Sequence, residues 1–147
     1  MSARFPHPYT RADAEAWIAK TTAESPTETF ALEIDGHIAG AVAIELHDGE
    51  KIGVAEFGYW LTPAYWGKGI VTAASRLLVE YAFEVRGLRR LEAHVFAPNF
   101  ASARVLEKCG FTKEATMRQR VTDREGNVVD AHLYAKLATD NALSSRA

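Results

Sequence analysis

Gly67, Lys68 and Gly69 stand where an extended apolar run gives way to a helical pattern, in the stretch PAYWGKGIVTAA over residues 63–74. Residues of these types can hold an anion. Glycines let the backbone turn sharply and approach a ligand closely, and the N–H groups of a helix start carry partial positive charge. Lys68 adds a mobile cation, and the Thr72 hydroxyl falls in the first helical turn, within reach of a phosphate oxygen. Spacing excludes two common phosphate loops. Gly67 and Gly69 are too close together for GxxxxGK[ST], and Thr72 occupies the third-glycine position of GxGxxG. Taken alone, a GKG is as readily a tight turn feeding a helix.

Glu56 is the second residue with chemistry to offer. In IGVAEFGYW it shares a strand face with Ile52, Val54 and Trp60, where alternation asks for an apolar residue. Apolar surroundings disfavour a charged carboxylate and make it a better proton acceptor near neutrality. The alternative is a bulge at Gly58 that turns Glu56 out to water.

These residues need elements to hold them. Thr10 precedes RADAEAWIAKTTAES with Asp13 three residues on, a capping-box variant. Ala14, Trp17 and Ile18 give that helix one apolar face, and Ser25-Pro26 ends it. From residue 29 the period is two. Phe30, Leu32 and Ile34 alternate with Ala31 and Glu33, Asp35-Gly36 is a hairpin turn, and Ile38, Gly40, Val42, Ile44 and Leu46 share one side of the return strand. HDGEK leads into a third strand, IGVAEFGYWL. After the glycines, Ile70, Ala74, Leu77, Leu78, Tyr81, Ala82 and Val85 form one helical stripe, which Gly87 closes. LRRLEAHVFA returns as a strand, so strand–helix–strand is a parallel crossover. Asn99 caps FASARVLEKC, which stops at Gly110 with Phe111 placed to pack on Leu106. FTKEATMRQRVT and VVDAHLYAKL then flank DREGN as a last hairpin. The order α-β-β-β-α-β-α-β-β describes an α+β class: a mixed, mostly antiparallel six-stranded sheet flanked by helices. Residues 1–147 form a single domain whose tail frays from about residue 139.

The totals exclude other classes. With 147 residues, 48% of them hydrophobic and 24% charged, the composition is that of an ordinary globular domain. A net charge of −2 with scattered Lys and Arg leaves no nucleic-acid footprint, and Arg89-Arg90 reads as strand surface. Cys109 is the one cysteine; it fits a small core position and a reducing, cytoplasmic setting. No apolar run approaches membrane-spanning length, and MSARFPHPYT has no signal-peptide core. The five histidines lack metal-ligand spacing, and His94 and His132 read as surface or satisfied core groups. No metal is expected.

GYWLTPAYWGKGIVTAA and, downstream, NFASARVLEKCGF resemble the GNAT acetyltransferases, and within them the ribosomal-protein N-terminal acetyltransferase branch of RimJ/RimL type. The element order is similar to that superfamily from its second helix onward. The resemblance implies that the loop binds the pyrophosphate of coenzyme A in the pattern Gln/Arg-x-x-Gly-x-Gly/Ala. Trp66 then holds the first place, Gly69 the fourth and Val71 the last, where a small residue is usual. The implied binding set is Trp66, Gly67, Lys68, Gly69, Ile70, Val71 and Thr72, with Asn99 on the pantetheine arm. The implied reaction moves an acetyl group from acetyl-CoA to a primary amine, on a protein N-terminus or a small molecule, by direct attack on the thioester.

Such a reaction must take a proton from the ammonium and stabilise the departing sulfur. By the same resemblance Glu56, on the family's acidic strand, is the base. Many members carry a tyrosine in the helix after the asparagine, at the place Leu106 holds here; Ser102, matching NxxSxxVLEKxGF, is the implied sulfur contact. Its alternative role is to complete the Asn99 cap. The family also splays two strands around the pantetheine, which implies contacts from backbone groups of Trp60, Leu61 and Thr62, with Gly58 permitting the divergence. A backbone N–H near Trp60 or Leu61 would polarise the thioester carbonyl.

Family members carry a strand and a helix before the PHPYT-like segment, whereas Met1 here lies five residues ahead of Pro6. The first strand is therefore expected to be an exposed edge, covered by a second copy in a homodimer. The alternative to an enzyme is a coenzyme-binding module without turnover.

Overall fold

A computed structural model describes residues 10–22 and 27–140. Helix α1 (Arg11–Thr22) opens on the expected box. The Thr10 N–H and hydroxyl donate to Asp13 Oδ2 at 2.8 and 2.6 Å, and the Asp13 N–H donates back to Thr10 Oγ1 at 3.2 Å. Those bonds, the hydroxyl's first, hold the Asp13 carboxyl below the usual carboxylate range. Ile18, read as part of the apolar face, is 55% exposed, and Ala14 is half-buried. The Ser25-Pro26 stop lies outside them.

Strands β1 (Thr27–Ile34) and β2 (His37–Leu46) are joined by Asp35 and Gly36 at φ of 51° and 77°. That is the left-handed pair a two-residue hairpin requires. Strand β3 (Val54–Leu61) pairs with β2 in unbroken register from Gly40↔Leu61 to Leu46↔Ala55. No bulge interrupts the pairing at Gly58, so Glu56 keeps its place in the alternation. Ile52 lies ahead of the strand and is exposed, which removes one of the apolar neighbours expected for Glu56.

Helix α2 (Ile70–Glu80) runs into a π-turn over Tyr81–Val85, and Gly87 at φ 63° ends it. The buried stripe is Ser75, Leu78, Val79 and Ala82, spaced i, i+3, i+4 and i+7. Leu77 and Val85, assigned to the stripe from sequence, are about 70% exposed. Leu77 falls one residue off the stripe, and the wide π-turn rotates Val85 away. Strand β4 (Arg90–Phe96), helix α3 (Phe100–Lys108), and strands β5 (Thr112–Thr122) and β6 (Val128–Leu137) complete the order expected. The sheet order is β1-β2-β3-β4-β6-β5, antiparallel except for β3 beside β4. This is the mixed α+β architecture read from sequence, with β1 as an outer strand among the described residues.

Ala55, Phe57, Leu91, Ala93 and Val95 turn one face of the sheet to α2 and α3, where they meet Leu78, Val79, Ala82 and Leu106 in one buried cluster. Burying a side chain such as Leu78 or Phe57 contributes about 1.5–3 kcal/mol relative to leaving it exposed. The other face differs. Glu45, Glu56 and Glu92 stand opposite one another on β2, β3 and β4. Like charges so placed repel. Arg90 offsets this: its Nε donates to Glu92 at 2.8 Å and its Nη1 to Glu114 at 2.9 Å. Arg90 is thus half-buried in an ion network, not plain strand surface.

Candidate active site

The loop after β3 forms a short 3-10 turn at Pro63–Tyr65 and enters α2 through Gly67 and Gly69, at φ of 71° and 73°. An L-residue at such angles is strained, and an added Cβ at either glycine would meet nothing within 4 Å. Glycine is needed here for backbone angle, and the space above is open. Gly69 is the N-cap of α2 and supplies no side-chain oxygen to the first-turn N–H groups. Those donors sit at the positive end of the helix dipole, a ready anion site. Lys68 Nζ rests 5.3 Å from the Tyr65 ring centroid. Val71 and Thr72 are half-buried, while Trp66 is 57% exposed.

Beside this loop the sheet opens. Strands β3 and β4 pair only at Val54↔Arg90, Ala55↔Leu91 and Glu56↔Glu92. Beyond Glu56 they part, and β4 continues against β6 alone, through Phe96↔Ala131. The splay thus exists, without the bulge thought to permit it. The Thr62 N–H donates to Ala39 O at 2.8 Å, so Thr62 points its backbone at β2. Alternation along an antiparallel ladder does the same for Trp60 and turns the backbone groups of Tyr59 and Leu61 toward the gap. The Leu61 carbonyl already accepts the Trp66 indole N–H at 2.7 Å. Of the three residues expected on the pantetheine, Leu61 turns its backbone to the gap and Trp60 and Thr62 turn theirs to β2; Tyr59, outside that expected set, also faces the gap.

Asn99 and Ser102 come together at the start of α3, where Asn99 Oδ1 accepts the Ser102 N–H at 3.1 Å. Ser102 Oγ lies 2.6 Å from the Tyr59 hydroxyl, which is also 3.1 Å from the Ser102 carbonyl oxygen. Burial pushes the Tyr59 phenol up to about 12. A signal for Tyr59 existed: it continues the core-facing alternation of Ala55 and Phe57, and a buried tyrosine hydroxyl seeks a partner.

Glu56 projects from the opposite face of β3, since 56 and 59 differ in parity. Its Oε1 is 3.5 Å from His94 Nδ1, and Glu45 and Glu92 flank it across the sheet. The apolar surroundings inferred from alternation are therefore replaced by charged and polar ones, because neighbouring strands supply them. His94, read from sequence as a bland strand residue, stands beside the carboxylate at the mouth of the splay.

Cys109, the C-cap of α3, is a buried thiol whose titration burial pushes up, in the small core position read for it from sequence. Among the described residues no His, Cys, Asp and Glu cluster suits a metal ion, and no helix is long and apolar enough to cross a membrane.

Residues 1–112 match a family model described as an acetyltransferase (GNAT) domain. Over 87 residues the chain is 44% identical to the probable N-acetyltransferase YjcK of Bacillus subtilis (strain 168), covering 59% of this chain and 48% of the relative. It is 39% identical over 85 residues to the putative ribosomal N-acetyltransferase YdaF of the same organism (57% and 45% covered). With the spermidine N(1)-acetyltransferase of Escherichia coli (strain K12) it shares 34% over 89 residues (60% and 47% covered). The chain spans about half the length of these curated relatives. A crystal structure of a probable acetyltransferase superposes with a TM-score of 0.74 at 30% identity, covering 86% of this chain and 70% of that one. A spermidine/spermine N-acetyltransferase (SpeG) from Vibrio cholerae, at 22% identity and TM-score 0.78 over 92% and 79% of the two chains, shares the fold. With a matching family model over most of its length, an uncapped helix start and a parted β3–β4 pair, this chain belongs to the GNAT acetyltransferases.

Proposed function

We propose that this chain is an acetyl-CoA-dependent N-acetyltransferase whose acceptor is a primary amine. The observation that supports it most directly is the uncapped, glycine-entered start of α2 beside the β3–β4 gap. An anionic diphosphate fits the first and a slender amide chain fits the second. Acetyl-CoA supplies an acyl group activated as a thioester. Gly67, Lys68, Gly69, Ile70, Val71 and Thr72 hold the pyrophosphate, and Asn99 and the gap-facing backbone of Leu61 and Tyr59 hold the arm. Glu56, with His94 beside it, accepts a proton from the acceptor ammonium on one face of β3. Ser102 meets the sulfur from the other face.

The RimJ/RimL-type assignment draws on the NFASARVLEKCGF segment and on the likeness to YdaF, and it favours a peptide N-terminus. The row Glu45, Glu56 and Glu92 favours any acceptor that arrives as a cation, including polyamines such as the one named for the Escherichia coli relative. Thioester consumption with peptide N-termini, polyamines and aminoglycosides decides between these. Coenzyme A binding without turnover on any acceptor would indicate a binding module instead. Replacing Glu56 by Gln should lower kcat/KM by about 10²-fold and flatten its acidic limb. An unchanged pH profile would remove Glu56 as the base.

A further inference from the structure

The Tyr59 hydroxyl lies 2.6 Å from Ser102 Oγ, short for a bond between two hydroxyls. The direction of that bond decides what Ser102 can do. If Ser102 donates, its only proton is turned back into the protein and away from the gap. If Tyr59 donates, the serine proton is released to point outward. From this geometry we infer that Tyr59 is a positioning residue: it donates to Ser102 Oγ and so directs the Ser102 O–H at the coenzyme sulfur. The inference rests on the acetyltransferase reading above and on the sulfur contact assigned there to Ser102.

Several features hold the pair in that sense. The Tyr59 ring stacks edge-on against Phe57 with centroids 6.0 Å apart, and Phe57 packs on Phe111 at 5.3 Å, so the phenol is fixed by the core. The Ser102 carbonyl, 3.1 Å away, also accepts from the phenol, as the longer arm of a shared bond whose shorter arm is Ser102 Oγ. Ser102 itself is fixed through its N–H, which Asn99 Oδ1 accepts. The phenol's raised titration keeps its proton in place across the working range.

In the transfer, the N–C bond forms and the C–S bond breaks, with the bonding pair leaving on sulfur. Nitrogen loses two protons, one from the ammonium before attack and one on becoming the amide; each passes through Glu56 to water, and the released thiolate takes a proton back from water. Tyr59 gives up no proton; it strengthens the hydrogen bond that Ser102 makes to the developing thiolate.

Coenzyme A itself is the probe. Its bound thiol can be titrated by thiolate absorbance, with the desulfo-coenzyme A complex subtracted to cancel the tyrosines. The bound thiol should ionise about one pH unit below the free one, the scale of one charge-assisted hydrogen bond. Ser102→Ala should abolish that shift, and Tyr59→Phe should abolish at least half of it. The double variant should match Ser102→Ala, because Tyr59 acts only through the serine. A 3-fluorotyrosine at position 59 keeps the ring if Tyr59→Phe does not fold, and as a stronger donor it should lower the thiol further. A wild-type thiol shift that survives Ser102→Ala sinks the serine assignment and this inference with it. If Ser102→Ala abolishes the shift while Tyr59→Phe leaves it intact, only the role of Tyr59 falls. A further change from Tyr59→Phe in the Ser102→Ala background would put the phenol directly on sulfur and overturn the relay. A wild-type chain that does not bind coenzyme A ends the parent reading and the inference together.

Discussion

Helices α2 and α3 begin in opposite ways. At α3 the Asn99 side chain occupies the Ser102 N–H, and Ser102 offers a hydroxyl instead. At α2 the N-cap is Gly69, which has no side chain to offer, and the first-turn donors are left to whatever arrives. A capped start is a stable scaffold for a side chain; an uncapped one is a socket for an anion. Stability and binding should therefore respond separately at the two positions.

The largest effect is expected from Gly69→Asp. Aspartate tolerates the left-handed backbone better than most residues, and its carboxylate favours a helix N-terminus by about 0.3–1 kcal/mol, roughly offsetting the conformational cost. The apo protein should melt within a few degrees of wild type. Coenzyme A, however, would meet a negative charge where the phosphates belong. Its affinity should fall by about 2 kcal/mol or more, roughly thirtyfold, read as loss of the coenzyme-dependent rise in Tm. Retained binding in the folded variant would show that the α2 start is not the phosphate site.

Asn99→Ala should invert that pattern. Losing the cap costs about 1 kcal/mol and lowers Tm by a few degrees. Coenzyme affinity should fall less than in Gly69→Asp. If the two variants lose affinity equally, the division of labour between the helix starts is wrong.

The α3 side also carries a pH signature. The Tyr59 phenol titrates near 12 in the folded chain, against about 10 unfolded. A raised value means its contribution to stability is fully present below pH 10 and is lost as pH climbs toward 12. By pH 11 the loss is about 1 kcal/mol. Tyr59→Phe removes this component, so its stability, followed by urea melts from pH 8 to 11, should decline less steeply than that of wild type. Parallel declines would mean that Tyr59 is more solvated than its packing implies.

Much of this arrangement was readable before the structure. The Asp35-Gly36 turn, the Asn99 cap and the Phe111–Leu106 closure are local devices, set by residues within a few positions of one another. The glycine loop is local too. What failed to read out was tertiary. Nothing within IGVAEFGYW says that β4 will bring Glu92 and His94 beside Glu56, or that β2 will bring Glu45. The Tyr59–Ser102 contact joins residues 43 apart in sequence, across two elements. Periodicity overestimated the stripe on α2 because a π-turn breaks the 3.6-residue repeat near its end.

Two serines test the comparison at its finest. Ser102, on α3, has the Tyr59 hydroxyl as its partner. Ser75, on the buried face of α2, is fully buried, and its Oγ finds no hydrogen-bond partner among the described residues. A buried hydroxyl without a partner costs stability, so what the site uses at position 75 is small volume rather than polarity. Ser75→Ala should leave turnover and coenzyme affinity unchanged and raise stability by up to about 1 kcal/mol, a shift of a few degrees in Tm at most. The matched change Ser102→Ala should do the reverse, lowering kcat and, because the part-buried Tyr59 hydroxyl loses its nearer partner, lowering Tm by a few degrees. Were Ser75→Ala to destabilise the chain, its hydroxyl would have a partner after all, and α2 would be held by more than its apolar stripe.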